Sequence, residues 1–142
     1  MKITLATQRD VPAIVVINSR LVLPNREPDS FYWTQKGWIS EQVEGEKMYV
    51  VEDRDEICSA MCLKEELLDK LEIETLAVKE GMDRSGFGRV LVNFAIEEAR
   101  NRDKSQLVVR SLKDFNARGF YERCGFSVSE VGFCYIGRMF FK

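Results

Sequence analysis

Residues 2–6 alternate weakly between apolar and polar positions and predict a short strand, closed at Thr7. Thr7 and Asp10 have the three-residue spacing of a helix N-terminal capping box. A helix is expected from there to about Leu21, because Val11, Ile14, Ile17 and Leu21 recur at helical spacing, with Pro12 in the first turn. Residues 24–29 read as a loop. From Ser30 the aromatic run Phe31, Tyr32, Trp33 and Trp38 predicts a second helix ending near Val43, weakened by Gly37. Those aromatics have two readings, packing in the core or lining a substrate pocket. Residues 48–52 and 57–63, joined by the polar turn 53–56, predict an antiparallel hairpin, and the alternating run 71–78 adds a third strand. A helix opens at Gly86-Phe87-Gly88 and continues to Arg100, with Leu91, Phe94 and Ala95 able to face the sheet. After it come a strand at 106–111, a short helix from about Asp114 to Arg123 stopped by Gly125 as a left-handed cap, and strands near 126–131 and 135–141. The order predicts a mixed α/β layer, four helices packed on a largely antiparallel sheet of about seven strands.

The chain has 142 residues, which suits one domain spanning 1–142 whose core needs neither disulfides nor a structural metal. A net charge of -2 denies it the positive field of nonspecific nucleic-acid binding, so no nucleic-acid partner is expected. No apolar run reaches membrane-spanning length, and Gln8, Arg9 and Asp10 interrupt the N-terminal segment too soon for a signal peptide. No membrane partner and a cytoplasmic location are therefore expected. There is no histidine, which removes Ser/His/Asp and Cys/His catalysis and all histidine metal sites at once. Acid and base chemistry falls to carboxylate, tyrosine, lysine, cysteine or water. Cys58 and Cys62 lie on one strand face with no turn to gather them, so they read as buried thiols rather than ligands, and no metal is expected. Cys124 has no base to activate it and reads as structural.

The informative chemistry lies where the strand ending Leu76-Ala77-Val78 runs through a turn into Arg84-Ser85-Gly86-Phe87-Gly88-Arg89. Glycines there let backbone N–H groups approach a ligand, and the helix start adds partial positive charge, so the segment can cradle an anion. A Gly-x-Gly alone also fits an ordinary tight turn. No Lys-Ser or Lys-Thr follows as in a P-loop, and Leu91 stands where a dinucleotide fingerprint wants a third small residue. A second segment, Asp114-Phe115-Asn116-Ala117-Arg118-Gly119-Phe120-Tyr121-Glu122-Arg123-Cys124-Gly125-Phe126, changes the balance. Together the two resemble the GCN5-related N-acetyltransferase (GNAT) superfamily. That family's cofactor motif is Gln/Arg-x-x-Gly-x-Gly/Ala after a strand, and a later helix carries Asn-x-x-Ala-x-x-Phe/Leu-Tyr-x-x-x-Gly-Phe. The frame from Ala117 through Phe120 and Tyr121 to Gly125 and Phe126 matches without a gap, and the resemblance covers nearly the whole chain. Two positions depart: Asp83 replaces the Gln/Arg, with Arg84 beside it, and Asp114 replaces the Asn, with Asn116 two residues on. An acid facing a pyrophosphate would repel it, so Asp83 is expected to point to solvent while backbone amides bind.

The resemblance implies an acyl-CoA N-acyltransferase fold with a splayed parallel strand pair, here 71–78 and 106–111, that admits the pantetheine arm of acetyl-CoA. Backbone at Leu76, Ala77 and Val78 would hold the arm and polarise the thioester, the pyrophosphate would sit on Ser85 to Arg89, and Arg84, Asn116, Ala117 and Tyr121 would complete the cofactor site. A primary amine of a small molecule or protein would attack the thioester directly in a ternary complex. Tyr121 matches the tyrosine that protonates the departing thiolate; its other reading is a packed helix residue. The attacking amine needs a base, and Glu72 and Glu74 are the candidates, Glu72 falling where the histone-modifying branch keeps its base; a solvated strand face is the alternative. A noncatalytic acyl-CoA-binding regulatory module on the same fold is the competing function, favoured by Asp83 and Asp114. The substrate wall is expected from loop 23–30, the aromatic helix and the turn 131–135. The apolar ending Met139-Phe140-Phe141 permits a homodimer.

Overall fold

The computed structural model describes residues 1–27, 30–66 and 69–141. Its strands are β1 (Lys2–Leu5), β2 (Met48–Asp53), β3 (Glu56–Glu66), β4 (Lys70–Val78), β5 (Gln106–Leu112), β6 (Ser127–Val131) and β7 (Cys134–Phe140). Its helices are α1 (Val11–Asn18), α2 (Lys36–Glu44), α3 (Phe87–Asn101) and α4 (Arg118–Arg123). The strands form one sheet in the order β1-β2-β3-β4-β5-β7-β6. Among the described residues no helix is long and apolar enough to cross a membrane. The chain divides into two compact units, Met1–Cys62 with Thr75–Leu91, and Leu63–Glu74 with Val92–Lys142.

In the first unit β1, β2 and β3 are antiparallel neighbours, with Ile3 opposite Val51 and Val50 opposite Ala60. The core joins Val11, Ile14 and Ile17 of α1 to Ile39 and Val43 of α2 and to Met48, Val50, Ala60, Cys62 and Ala77 of the strands. The capping carboxylate works as its spacing suggests, since the Thr7 N–H donates to Asp10 Oδ2 at 2.9 Å and opens a 3-10 turn before α1. Helix α1 stops at Asn18, short of Leu21, where the chain tightens into turns closed by Arg20 N–H to Ile17 O and Leu21 N–H to Asn18 O.

The helix expected over 30–43 is two elements, a 3-10 turn at Tyr32–Thr34 and then α2, separated by an extended Gln35 (φ -85°, ψ 130°). Side chains account for the break. The Thr34 hydroxyl donates to Phe31 O and Asn18 Nδ2 donates to Trp33 O, so two backbone acceptors a continuous helix would use are taken, while Trp33 Nε1 donates to Leu21 O and ties the turn to the end of the preceding segment. The aromatics themselves form a half-exposed cluster, Tyr32 meeting both Trp33 and Trp38 edge-on at 5.0 Å. Pro28 and Asp29 of the expected loop lie outside the described residues.

In the second unit β4 pairs parallel with β5, from Lys70 opposite Gln106 to Ile73 opposite Val109. Strand β7 runs antiparallel to β5 along its whole length, and β6 to β7. The single helix expected over 114–123 is also corrected. A 3-10 turn at Lys113–Phe115 ends in Asn116 with left-handed backbone (φ 53°), a conformation Asn tolerates better than most residues, and only then does α4 begin. Gly125 after α4 has φ 103°, the left-handed stop expected of it. Gly137 of β7 is needed for space: a Cβ there would lie 2.9 Å from Val109 Cγ1 and 3.3 Å from Phe126. Gly137→Ala is expected to destabilise by about 1–3 kcal/mol through overpacking, read as a lower urea midpoint at unchanged slope.

Candidate active site

In the first unit, the end of β4 is fixed by the Lys79 N–H, which donates to Cys58 O at 2.8 Å, and by an ion pair between Lys79 and Glu56. The turn that follows closes with Met82 N–H to Lys79 O and Ser85 N–H to Met82 O. Gly86 has φ 82°, and a Cβ built there would meet nothing within 4 Å. Conformation therefore requires the glycine, and the space before α3 is open. Arg84, Ser85 and Gly86 are exposed, whereas Phe87 and Gly88 are buried and the Ser59 hydroxyl donates to Phe87 O at 3.3 Å. The first intrahelical bond beyond the turn is Val90 N–H to Gly86 O. Helix geometry aims the preceding amides out of the helix end, where the dipole favours negative charge.

Asp83 is exposed, yet it does not stand alone. Arg20, in the turn two residues beyond α1, grips both its oxygens, Nη1 to Oδ1 at 2.8 Å and Nη2 to Oδ2 at 3.3 Å, and the same Nη1 donates to Val78 O at 2.8 Å. One guanidinium thus pairs the acid that departs from the family motif and ties its turn to Val78, the last residue of β4. Sequence reasoning missed Arg20. The only available signal was that an acid in an anion cradle demands a cation, and nothing local said which.

In the second unit Tyr121 is buried in α4, its ring edge-on to Phe120 and Phe126. Burial pushes its phenol well above the usual range, with Cys124 adding slightly, so the group stays protonated. Its N–H donates to Ala117 O at 3.1 Å, which places Ala117 at the start of α4 beside the exposed, left-handed Asn116. Glu72 of β4 is also buried, not on a solvated face, and its Oε1 accepts from Arg110 Nη1 of β5 at 3.0 Å. Burial raises its carboxyl above the ordinary value; Arg110 opposes that rise, and Glu66 and Glu74 reinforce it against Lys64. Glu74 is half-buried. The ladder with β5 is described as far as Ile73, while β4 itself continues to Val78. The first unit therefore carries Leu76, Ala77, Val78 and Arg84 to Arg89 on one continuous strand, turn and helix start. The second carries Glu72, Glu74, Asn116, Ala117 and Tyr121.

The signature of the acetyltransferase (GNAT) family matches residues 16–126, and the chain belongs to that family. Over 97 residues it is 27% identical to the uncharacterized N-acetyltransferase YvbK of Bacillus subtilis (strain 168), a match covering 68% of this chain and 63% of that protein, less than two thirds of its length. The PaiA N-acetyltransferase of Thermoplasma acidophilum, crystallised in complex with coenzyme A, superposes with a TM-score of 0.84 at 13% identity, over 99% of this chain and 98% of the other. Rv2747 of Mycobacterium tuberculosis, in complex with CoA and NLQ, gives 0.69 at 24% identity, over 92% and 74%. At these identities the likeness to the solved structures is one of fold.

Proposed function

We propose that residues 1–142 act as a single cytoplasmic catalytic domain, an N-acetyltransferase moving an acetyl group from acetyl-CoA directly to a primary amine. The observation that carries this reading is the strand, turn and helix start around Gly86, with its positive φ and open space, where helix geometry turns the first amides outward. The pyrophosphate rests on Ser85 to Arg89 with Arg84 beside it, and the pantetheine arm runs along Leu76, Ala77 and Val78 as an added strand would. Asn116, Ala117 and Tyr121 supply the remaining donor contacts. The amine nitrogen attacks the thioester carbonyl; the new C–N bond forms, the C–S bond breaks, and the ammonium proton leaves to Glu72 or Glu74, directly or through water. Tyr121 meets the departing sulfur. A thioester is activated enough that these steps call for no metal.

The test is thiol release from acetyl-CoA with a panel of amines, beside calorimetric binding of coenzyme A. Amine-dependent release is expected. Tight cofactor binding with no release for any amine would favour the noncatalytic module, which the exposed acid at Asp114 in place of the family Asn keeps in contention.

Arg20 gives a sharper check on the donor site. Arg20→Ala leaves Asp83 unpaired beside the proposed phosphates. Because both side chains are partly exposed, 36% and 59%, the effect is discounted for solvent to about 1 kcal/mol, a rise of about fivefold in the Kd for coenzyme A. The loss should shrink at high salt, and Asp83→Asn in the same protein should restore affinity.

A further inference from the structure

The second unit presents charged side chains on one face of its sheet that the donor site does not use. Register places them. Glu72 of β4 and Arg138 of β7 both lie opposite Val108, on its two sides, so all three side chains share a face, and Arg110, two residues along β5, joins them. Gly137 and Val109 belong to the other face, where Phe126 packs.

Burial is uneven across the pair. The Glu72 side chain is 9% exposed, whereas that of Arg110 is 57% exposed. The acid is underneath and the guanidinium stands over it toward solvent. Arg110 meets Glu72 through Nη1, and a guanidinium has five N–H donors in a planar fork, so most of the fork is available to a second oxyanion. Arg138, diagonal to it and half-buried, has no ion-pair partner among the described residues. The remaining charges around Glu72 are Lys64 and Glu66, which pair with each other at 3.8 Å, and Glu74.

Resting on the acetyltransferase reading above, we infer that Arg110, flanked by Arg138, binds a carboxylate of the acceptor, so the substrate is a small amine carrying a carboxylate near its nitrogen, as an α-amino acid does. Such a zwitterion complements the Arg110–Glu72 pair charge for charge without having to break it. Its carboxylate takes the Arg110 fork, its ammonium takes Glu72, and neither protein group is left uncompensated in a partly desolvated place. The ammonium then gives its proton to Glu72, and the neutral nitrogen, held by its own carboxylate, attacks the thioester. A peptide N-terminus, whose neighbouring carbonyl is a neutral amide, offers Arg110 an acceptor without charge and is the poorer substrate.

The experiment compares three matched acceptors of one side chain, the amino acid, its carboxamide and its decarboxylated amine, by thiol release from acetyl-CoA. The acid is expected to exceed the amide in kcat/KM by about tenfold or more, as charge-assisted hydrogen bonds would give. Arg110→Gln should collapse that ratio toward one, mainly through KM, with Arg110→Lys recovering part of it and Arg138→Gln lowering it less. An amide used as well as the acid, or a ratio unchanged in Arg110→Gln protein that unfolds at the wild-type temperature, overturns the inference while leaving the acetyltransferase intact. If coenzyme A binds but no acceptor releases thiol, the functional reading fails instead. The carboxylate site is then decided by calorimetry with the same acid and amide. Acid-selective binding lost in Arg110→Gln supports it, and its absence rules it out.

Discussion

Tyr121→Phe is expected to lower kcat by about two orders of magnitude, the lower end of the range for a lost proton donor, while the affinity for coenzyme A changes by less than about twofold. The fold should scarcely notice, because phenylalanine keeps the edge-on contacts with Phe120 and Phe126 that hold the ring in α4. The reason for the lower end is burial. A phenol raised well above its ordinary value is a reluctant acid, and complete transfer to a leaving thiolate is uphill. In the proposed role it would give a hydrogen bond to sulfur as charge develops, strengthened by the low dielectric around it. The same burial keeps the phenol protonated past the pH where an ordinary tyrosine ionises, so activity should show no alkaline loss from Tyr121 in that region. Steady-state thiol detection with calorimetry on both proteins checks this. Unchanged turnover would return Tyr121 to its packing role.

The strands were readable because alternation and turn residues are local. The meander through β2, β3 and β4, the glycine-opened α3 and the left-handed stop at Gly125 each depend on neighbours in the chain. What could not be read depends on partners far away. The break at Gln35 comes from Asn18 and Leu21, brought to Trp33 by the packing of α1 on α2, and no window around Trp33 contains them. The break at Asn116 was local, an αL-tolerant residue inside a helical pattern, and the motif frame overshadowed it. At the candidate site, the residue types were visible while their states were not. Asp83 appeared as an unopposed acid because Arg20 is 63 residues away, and Glu72 appeared equally suited to solvent because only the β4 and β5 register brings Arg110 to it. Arg110 itself sits in an unremarkable strand sequence.

Glu72→Gln separates the two candidate bases and tests the burial argument together. For activity, kcat/KM at neutral pH is expected to fall by about a hundredfold, the usual order for a general base. The wild-type acid limb should lie above the ordinary carboxyl range, because the raised carboxyl must ionise first, and that limb should vanish in the variant. If Glu74→Gln shows both losses and Glu72→Gln neither, the base is Glu74. For stability, the sign follows from proton counting. With the folded value raised, the native state holds more protons than the unfolded chain between the unfolded and folded values, so wild-type stability falls as pH rises through that window. The penalty is absent below the window and fully present above it. Glutamine has no such term, so urea midpoints should move in the variant's favour from acid toward neutral pH. Arg110 loses its partner but, more than half exposed, stays hydrated, which keeps the opposing cost small. A midpoint difference that moves the other way would mean that Arg110 outweighs burial, and that Glu72 is an ion-pair anchor too acidic to take a proton from an amine.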